Sequence, residues 1–284
     1  MQPLEYCYQK ICHSKNAMAF RFPFLSRVQR QALVVLYALQ QELLEVVQDC
    51  TEANLALTTL NWWQQQISLL YVDKAMPEHP LMQALRSFIA EYALPQSELM
   101  ALINAHYTEL TLARFQDMNQ LRQYACQTGM VQGRLSSRVL GFTEQQTLEF
   151  AEKVGELCQT VKLFSQIGAD ARLGRLYIPV AMLQEFNVPA SVVLNGHGSA
   201  EFMALLNTWL AELKGQFKSV VALLPRVDKY RQRASLAMLA IAAALLREIE
   251  QDGLVNILQY QLIVPRPRQQ RLFWKTWLCG FRPV

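Results

Sequence analysis

Three polar side chains recur at four-residue spacing near the middle of the chain: Lys162, Gln166 and Asp170. Residues four apart lie on one face of a helix, so these side chains are predicted to form a single row. The row offers an ammonium, an amide and one carboxylate. Mg²⁺ prefers anionic oxygen ligands, and a lysine in the same row competes for the carboxylate and repels the ion. The row therefore does not predict an intact magnesium site.

The elements that hold this row are predicted to be helices packed around one core. Hydrophobic residues make up 52% of the 284 residues and charged residues 18%, which is enough apolar material for a large core. No Pro/Gly/Ser-rich linker and no fixed repeat divides the chain. We therefore expect one domain over residues 1–284, with a short leading helix over residues 1–15.

Composition also bounds location and partners. The uncharged run 234–246 is about half the ~20 residues that a membrane span needs, so it predicts a buried core helix. No apolar secretory block opens the chain, which predicts a cytoplasmic protein, with a peripheral position at the inner face of a membrane as the alternative. Neither the cysteines nor the histidines show metal-ligand spacing, and no basic stripe predicts nucleic-acid binding.

Residues 157–179 resemble a motif of the squalene/phytoene synthase family, Gln-x-x-Asn-x-x-x-Asp-x-x-x-Asp-x-x-x-Gly-Arg-x-Tyr-x-Pro. The residues of this chain that match it are Gln159, Asp170, Gly174, Arg175, Tyr177 and Pro179. Lys162 replaces the family's asparagine, and Gln166 replaces its first aspartate. In the family's enzymes this row faces a cavity and holds Mg²⁺ on a diphosphate, so the resemblance implies the site while the substitutions weaken its chemistry.

The family's other aspartate helix is also recognisable and also altered. The segment 32–39, which contains Tyr37, resembles Ala-Leu-x-x-Leu-Tyr-Ala-Phe. Beyond it, Gln41 replaces the family's arginine. Three aspartates of the family pattern are replaced by Leu44, Glu45 and Gln48. In the preceding segment, Asn16 and Ala17 replace the family's two serines, so the hydroxyl near the diphosphate is lost.

Glu42, Glu45 and Asp49 share one face of the same predicted helix. The interpretation we favour is a solvated stripe on an amphipathic helix, because charged residues are seldom fully buried. The alternative is a displaced carboxylate cluster opposite Asp170. In that case Glu45 and Asp170 would be the catalytic groups, and all four carboxylates would be the metal ligands.

The segment 121–141 keeps several residues of a small-residue helix in the same family, among them Tyr124, Gly133 and Gly141. Gly129 is a further small residue in this segment. Such residues imply that an isoprenoid chain or a neighbouring helix approaches the backbone closely. Met130 and Gln132 replace the usual glycine and valine, which predicts a narrower or more polar cavity.

The helix that delivers the polar row is expected over residues 143–168. Thr143 with Gln146 predicts a capping box at its start. The resemblance implies ten substrate-binding residues in all: Tyr37, Gln41, Tyr124, Gly129, Gly133, Gln159, Lys162, Gln166, Arg175 and Tyr177.

The tail 264–284 combines basic and aromatic residues, among them Arg271, Trp274 and Lys275. Two interpretations stay open. The tail binds anionic lipid headgroups at a membrane surface, or it forms a helix packed on the body, as family members often do.

The resemblance covers residues 16–277 and implies an all-α, single-domain isoprenoid-synthase-type bundle around a central cavity. With the motifs worn, we expect a protein without cofactor that binds an isoprenoid or lipid. It is also similar to assembly factors of respiratory complex I, notably in Trp-Lys-Thr-Trp at 274–277, which implies a protein partner. The alternative is an active head-to-head prenyl transferase that uses Mg²⁺ and farnesyl or geranylgeranyl diphosphate at a rearranged carboxylate site.

Overall fold

A computed structural model describes residues 2–13, 24–50, 52–111 and 114–281. All regular elements in those ranges are helical, which confirms the expected all-α class. Asn16 and Ala17, expected in the turn that lost its serine, lie outside the described residues, as does the side chain of Asp49.

The first half of the fold is a layer of helices around the N-terminal part of the core. It comprises α1 (Pro3–His13), α2 (Arg27–Asp49), α3 (Ala53–Leu69), α4 (Pro80–Ile89) and α5 (Gln96–Thr111). Ser26 starts α2 with a capping box, because its side chain accepts from the Gln29 amide while the Gln29 side chain accepts from the Ser26 amide. The expected leading helix is therefore α1, which packs against α2 and α4.

The middle of the chain supplies the walls of the cavity. In order it contains α6 (Met118–Ala125), a π-helical turn (Cys126–Met130), α7 (Val131–Leu140), α8 (Gln146–Ser165) and α9 (Ile167–Arg172). The prediction of one continuous helix over residues 143–168 was wrong at both ends. The helix begins at Gln146, and it is interrupted at Gln166, where φ is −106° and ψ is 3°.

The C-terminal half closes the bundle. It contains α10 (Val180–Glu185), α11 (Ala190–Leu194), α12 (Ala200–Ala222), α13 (Arg233–Asp252) and α14 (Arg266–Cys279). The run 234–246 lies in α13 and is mostly buried, as expected of a core helix. In the described part of the chain, no helix is both long and apolar enough to cross a membrane.

Two hydrophobic clusters make up the core, and α13 contributes to both. The first joins α1 to α5 with α7, and includes Ala237 and Ile241 of α13. The second surrounds α8 and α12, and includes Leu239 and Leu246 of α13. Because α8 packs against α7 on one side and α12 and α13 on the other, it forms the centre of the bundle.

The start of α8 is capped by a distant carboxylate and not by the expected capping box. Asp228 is buried and accepts from the backbone amides of Thr143 at 2.8 Å and Glu144 at 3.0 Å. It also accepts from the Thr147 hydroxyl at 2.6 Å. Burial alone would raise the pKa of Asp228, but these hydrogen bonds outweigh it and lower the pKa from 3.8 to about 2. The turn before α13 thereby fixes the beginning of α8.

The backbones of α8 and the segment before it approach each other unusually closely. A methyl group added at Gly129 or at Gly155 would overlap the carbonyl oxygen of the other glycine, and one at Gly133 would overlap the carbonyl oxygen of Ala151. Of the two explanations for these small residues, the neighbouring helix is therefore the one that the contacts at Gly129 and Gly133 support.

We predict that Asp228→Ala lowers the free energy of unfolding by about 2–4 kcal/mol, because several buried donors lose their acceptor. Urea unfolding at neutral pH measures this. The control is Asp73→Ala, which removes an exposed carboxylate and should change the same quantity by less than about 0.5 kcal/mol. Equal effects of the two substitutions would contradict the capping role.

The same carboxylate predicts a pH dependence. Because folding lowers the pKa of Asp228 to about 2, its contribution is complete above pH ~4 and is lost as the pH falls toward 2. The difference in unfolding free energy between wild type and Asp228→Ala should therefore be constant from pH 7 to ~4 and shrink below it. A difference that stayed constant down to pH ~2.5 would be inconsistent with this assignment.

Gly155→Ala should destabilise the protein by about 1–3 kcal/mol, because the added methyl forces two backbones apart. Gly215→Ala is the matched control, since Gly215 lies within α12 with open space where a methyl would stand. There the change should stabilise by about 0.5–1 kcal/mol through helix propensity. Circular dichroism during urea unfolding distinguishes the two, and a neutral Gly155→Ala would overturn the close-approach argument.

Candidate functional site

A cavity of about 490 Å³ lies between α2, α7, α8 and α13. This volume is in the range of ligand-binding cavities. The described residues around it come mainly from these four helices and from the segment 261–264, and most of their side chains are apolar. The cavity can therefore enclose the chain of a lipid-sized molecule.

The ends of the helices define two ends of the cavity. At the first end, the Gln29 amide group donates to the carbonyl of Val139 at 3.1 Å, and the Gln232 amide group donates to that of Gly141 at 2.9 Å. Leu33, Leu140 and Ala234 line the cavity here. We call this the apolar end.

The opposite end is closed by the region that follows α8. Arg175 donates to the carbonyl of Val47 at 2.6 Å and thereby joins this region to the end of α2. Lys162, Gln166 and Asp170 all line the cavity at this end, although the helix is interrupted at Gln166. We call this the polar end.

Charged groups are scarce in the lining. Among the described residues that line the cavity, Lys162 and Asp170 alone carry a charge, so their formal charges cancel. Amides are abundant instead. The glutamines among the described lining residues are Gln40, Gln41, Gln48, Gln132, Gln159, Gln166, Gln261 and Gln269.

The structure brings seven of the expected substrate-binding residues to the cavity: Tyr37, Gln41, Gly129, Gly133, Gln159, Lys162 and Gln166. Burial raises the pKa of Tyr37 to about 12, so its hydroxyl stays protonated. Arg175, Tyr124 and Tyr177 are not among the lining residues. Their assignment as substrate contacts stays a prediction.

Tyr124 and Tyr177 instead meet at a buried glutamate. Both hydroxyls donate to Glu109, the Tyr124 hydroxyl at 2.5 Å. The His106 Nδ1 lies 3.6 Å from the same carboxylate. Burial would raise the pKa of Glu109, but His106 and the two hydroxyls lower it below its ordinary value. The sequence did not predict that Glu109 joins these side chains, because nothing in the local pattern pairs α5 with residues 124 and 177.

Glu42 and Glu45 lie against α1 and are not among the residues that line the cavity. Lys10 forms ion pairs with both, at 2.8 Å from Glu42. The Tyr6 hydroxyl donates to Glu42 at 2.5 Å, and Gln41 donates to Glu45 at 2.9 Å. The two glutamates therefore form neither a fully solvated stripe nor a cluster facing Asp170, but a partly buried ion-pair group between α1 and α2.

Several lining residues have no counterpart in the sequence motifs. They are contributed by α13 and by the segment 261–264, and include Met238, Ile241 and Leu245. The uncharged run 234–246 predicted a buried helix, but a buried helical face has the same apolar pattern whether it packs on a core or faces a cavity. The pattern therefore could not distinguish the two.

The donor set of the cavity does not fit a cluster of magnesium ions. Mg²⁺ requires anionic oxygens, and among the described lining residues Asp170 alone supplies them, at the same end as the ammonium of Lys162. Across the described residues, no three His, Cys, Asp or Glu side chains come together as a metal-binding group.

Comparison with known proteins places these observations in a family. The family model of squalene/phytoene synthase matches residues 13–277. The chain is 27% identical to presqualene diphosphate synthase of Sinorhizobium fredii over 168 residues, which cover 59% of each protein. It is 22% identical to 15-cis-phytoene synthase of Synechococcus elongatus over 257 residues, which cover 86% of this chain and 82% of that protein.

The matched length varies among these relatives. The chain spans 59% of the Sinorhizobium protein and 66% of a phytoene synthase of Arthrospira platensis to which it is 22% identical. The activities of those proteins are therefore proposals for this chain.

Solved structures share the fold. A dehydrosqualene synthase crystallised with a ligand superimposes with a TM-score of 0.79 at 16% identity, covering 98% of this chain and 97% of that one. Squalene synthase HpnC from Alicyclobacillus acidocaldarius gives a TM-score of 0.71 at 20% identity, covering 87% and 94%. Because the family model matches residues 13–277 of this chain's 284, the chain belongs to the squalene/phytoene synthase family.

Proposed function

We propose that this protein binds an isoprenoid or another single-chain lipid in its cavity and does not condense prenyl diphosphates. The observation that carries the proposal is the charge of the lining. Among the described lining residues, one carboxylate, Asp170, is accompanied by one ammonium, Lys162, and the remaining polar groups are amides and hydroxyls.

Ionisation of a prenyl diphosphate needs strong electrostatic assistance to the leaving group. Removal of a single donor of this kind commonly costs about 10²-fold or more in rate. In this chain the positions of several aspartates, of an arginine and of a serine hydroxyl are occupied by other residues. A cavity with this lining favours an uncharged or singly charged head over a diphosphate.

The alternative function, a prenyl transferase with rearranged carboxylates, would require Glu42 and Glu45 to act with Asp170 on one substrate. Both glutamates pair with Lys10 on the side of α2 that faces α1. The alternative has correspondingly less support.

The outer face of α14 supports a peripheral contact with an anionic membrane. Phe273 is buried against the body, so the packed tail helix expected from the family is one part of the arrangement. Trp274 is 48% and Leu278 68% exposed, and the exposed Arg271 and Lys275 accompany them. Basic and aromatic side chains on one surface suit an anionic interface. A role in assembly with a protein partner rests on the resemblance to complex I assembly factors alone, and we keep it as the lesser proposal.

We predict that the protein incubated with farnesyl diphosphate and Mg²⁺ releases pyrophosphate no faster than Asp170→Asn does, because Asp170 no longer takes part in ionisation. A coupled pyrophosphate assay measures both rates. Displacement of a fluorescent lipid by farnesol in the same preparations shows that both proteins are folded and able to bind. Magnesium-dependent release that Asp170→Asn abolishes would reverse the proposal in favour of the transferase.

For the membrane contact, the double substitution Arg271→Glu with Lys275→Glu should reduce binding to vesicles of phosphatidylserine and phosphatidylcholine by about tenfold or more, since each basic residue near the surface contributes about 1 kcal/mol. Flotation of the vesicles measures the bound fraction. Lys74→Glu with Lys229→Glu, which reverses two exposed charges elsewhere, is the matched control. Equal losses in the two double variants would mean that α14 is not the contact surface.

A further inference from the structure

Gln132 presents an unsatisfied amide to the cavity. Its side chain is only 5% exposed and lines the cavity from α7. Within the described part of the chain, neither Oε1 nor Nε2 has a hydrogen-bond partner. A buried amide without partners costs about 1–3 kcal/mol, so the group is expected to be satisfied by whatever occupies the cavity.

The position of Gln132 on α7 leaves it little choice of partner. Gly129 and Gly133, on either side of it, lie against the backbone of α8, which fixes α7 too tightly for the helix to turn away. A primary amide donates and accepts at the same point. The complementary group on a ligand is therefore a hydroxyl, which can do both, or a carbonyl, which accepts.

The depth of Gln132 in the cavity follows from its neighbours. Gly129 contacts Gly155, and Gly133 contacts Ala151, so the two segments run antiparallel and Gln132, next to Gly133, lies level with Glu152 of α8. Lys162 is ten residues beyond Glu152 along the same helix. At 1.5 Å per residue, Gln132 is roughly 15 Å deeper in the cavity than the polar end.

We infer that the ligand of this cavity is an oxygenated chain, with an uncharged or singly charged head at the polar end and a hydroxyl or carbonyl roughly 15 Å along its length. The inference rests on the proposed lipid-binding function and sharpens it, because a plain hydrocarbon chain leaves the Gln132 amide without a partner. Gln132 is a specificity-determining residue in this account.

Isothermal titration with three fatty acids tests the inference on the full chain. The probes are stearate, 2-hydroxystearate and 12-hydroxystearate, and the hydroxyl of the last is about as deep as Gln132 when the carboxylate is at the polar end. The wild-type protein should bind 12-hydroxystearate about fivefold to a hundredfold more tightly than the other two, the range expected when a buried amide gains a partner.

Gln132→Met keeps the length of the side chain and removes the amide, so the preference for 12-hydroxystearate should disappear and stearate should bind at least as tightly as to wild type. Gln132→Leu is a second apolar replacement should methionine disturb folding. Gln184→Met, at an exposed position outside the cavity, should leave the preference unchanged. Urea unfolding of the unliganded proteins checks that Gln132→Met is no less stable than wild type.

The titrations distinguish the assignment of Gln132 from the proposed lipid binding. Equal binding of all three fatty acids by wild type, or a preference that survives Gln132→Met, would overturn the assignment of Gln132 while leaving lipid binding intact. Failure of the wild-type protein to bind any of the three would overturn the assignment, and failure to bind farnesol as well would overturn the proposed function.

Discussion

Close contact between the backbones at Gly129 and Gly155 determines where every other group around the cavity can lie. At this point side chains larger than hydrogen would separate the helices. The contact brings α7 and α8 together along one line and leaves the cavity on the side that faces α2 and α13. Asp228 fixes the start of α8, since its carboxylate accepts hydrogen bonds from the free backbone amides of Thr143 and Glu144. The polar row on α8 and α9 is thus held over the cavity by backbone packing and by hydrogen bonds from outside the row.

Because of that separation of scaffold from chemistry, the helix packing does not depend on charged groups in the cavity. The closest helix contacts involve small residues such as Gly129 and Gly155, which lie outside the aspartate motifs. Lys162 and Gln166 occupy positions that face the cavity, where they alter the electrostatics without disturbing the core. Three glutamates outside the cavity lining join other elements instead. Glu42 and Glu45 join α1 to α2 through Lys10, and Glu109 accepts hydrogen bonds from two tyrosine hydroxyls. The fold therefore does not by itself imply the reaction.

Much of this arrangement could be predicted from the sequence. The uncharged run 234–246 predicted α13 as a core helix. Lys162, Gln166 and Asp170, expected on one face of a single helix, all line the cavity, although the helix is interrupted at Gln166. Local patterns failed where partners are distant in the chain. Thr143 and Gln146 matched a capping box, but the acceptor is Asp228, 85 residues away from Thr143. The interruption at Gln166 lies two residues before Gly168, whose close approach to the backbone of Ile257 and Leu258 could not be read from the local sequence. The ion pairs of Lys10 with α2 could not be read from either helix separately.

We propose that the cavity does not hold a cluster of divalent ions. Diffraction from crystals soaked with Mn²⁺ and a non-hydrolysable farnesyl diphosphate analogue tests it most directly, because the anomalous signal of manganese locates each ion. We predict no manganese peak within coordinating distance of Asp170, and any bound analogue should be held through its hydrocarbon chain. Two or more manganese ions bridging Asp170 and the diphosphate would contradict it.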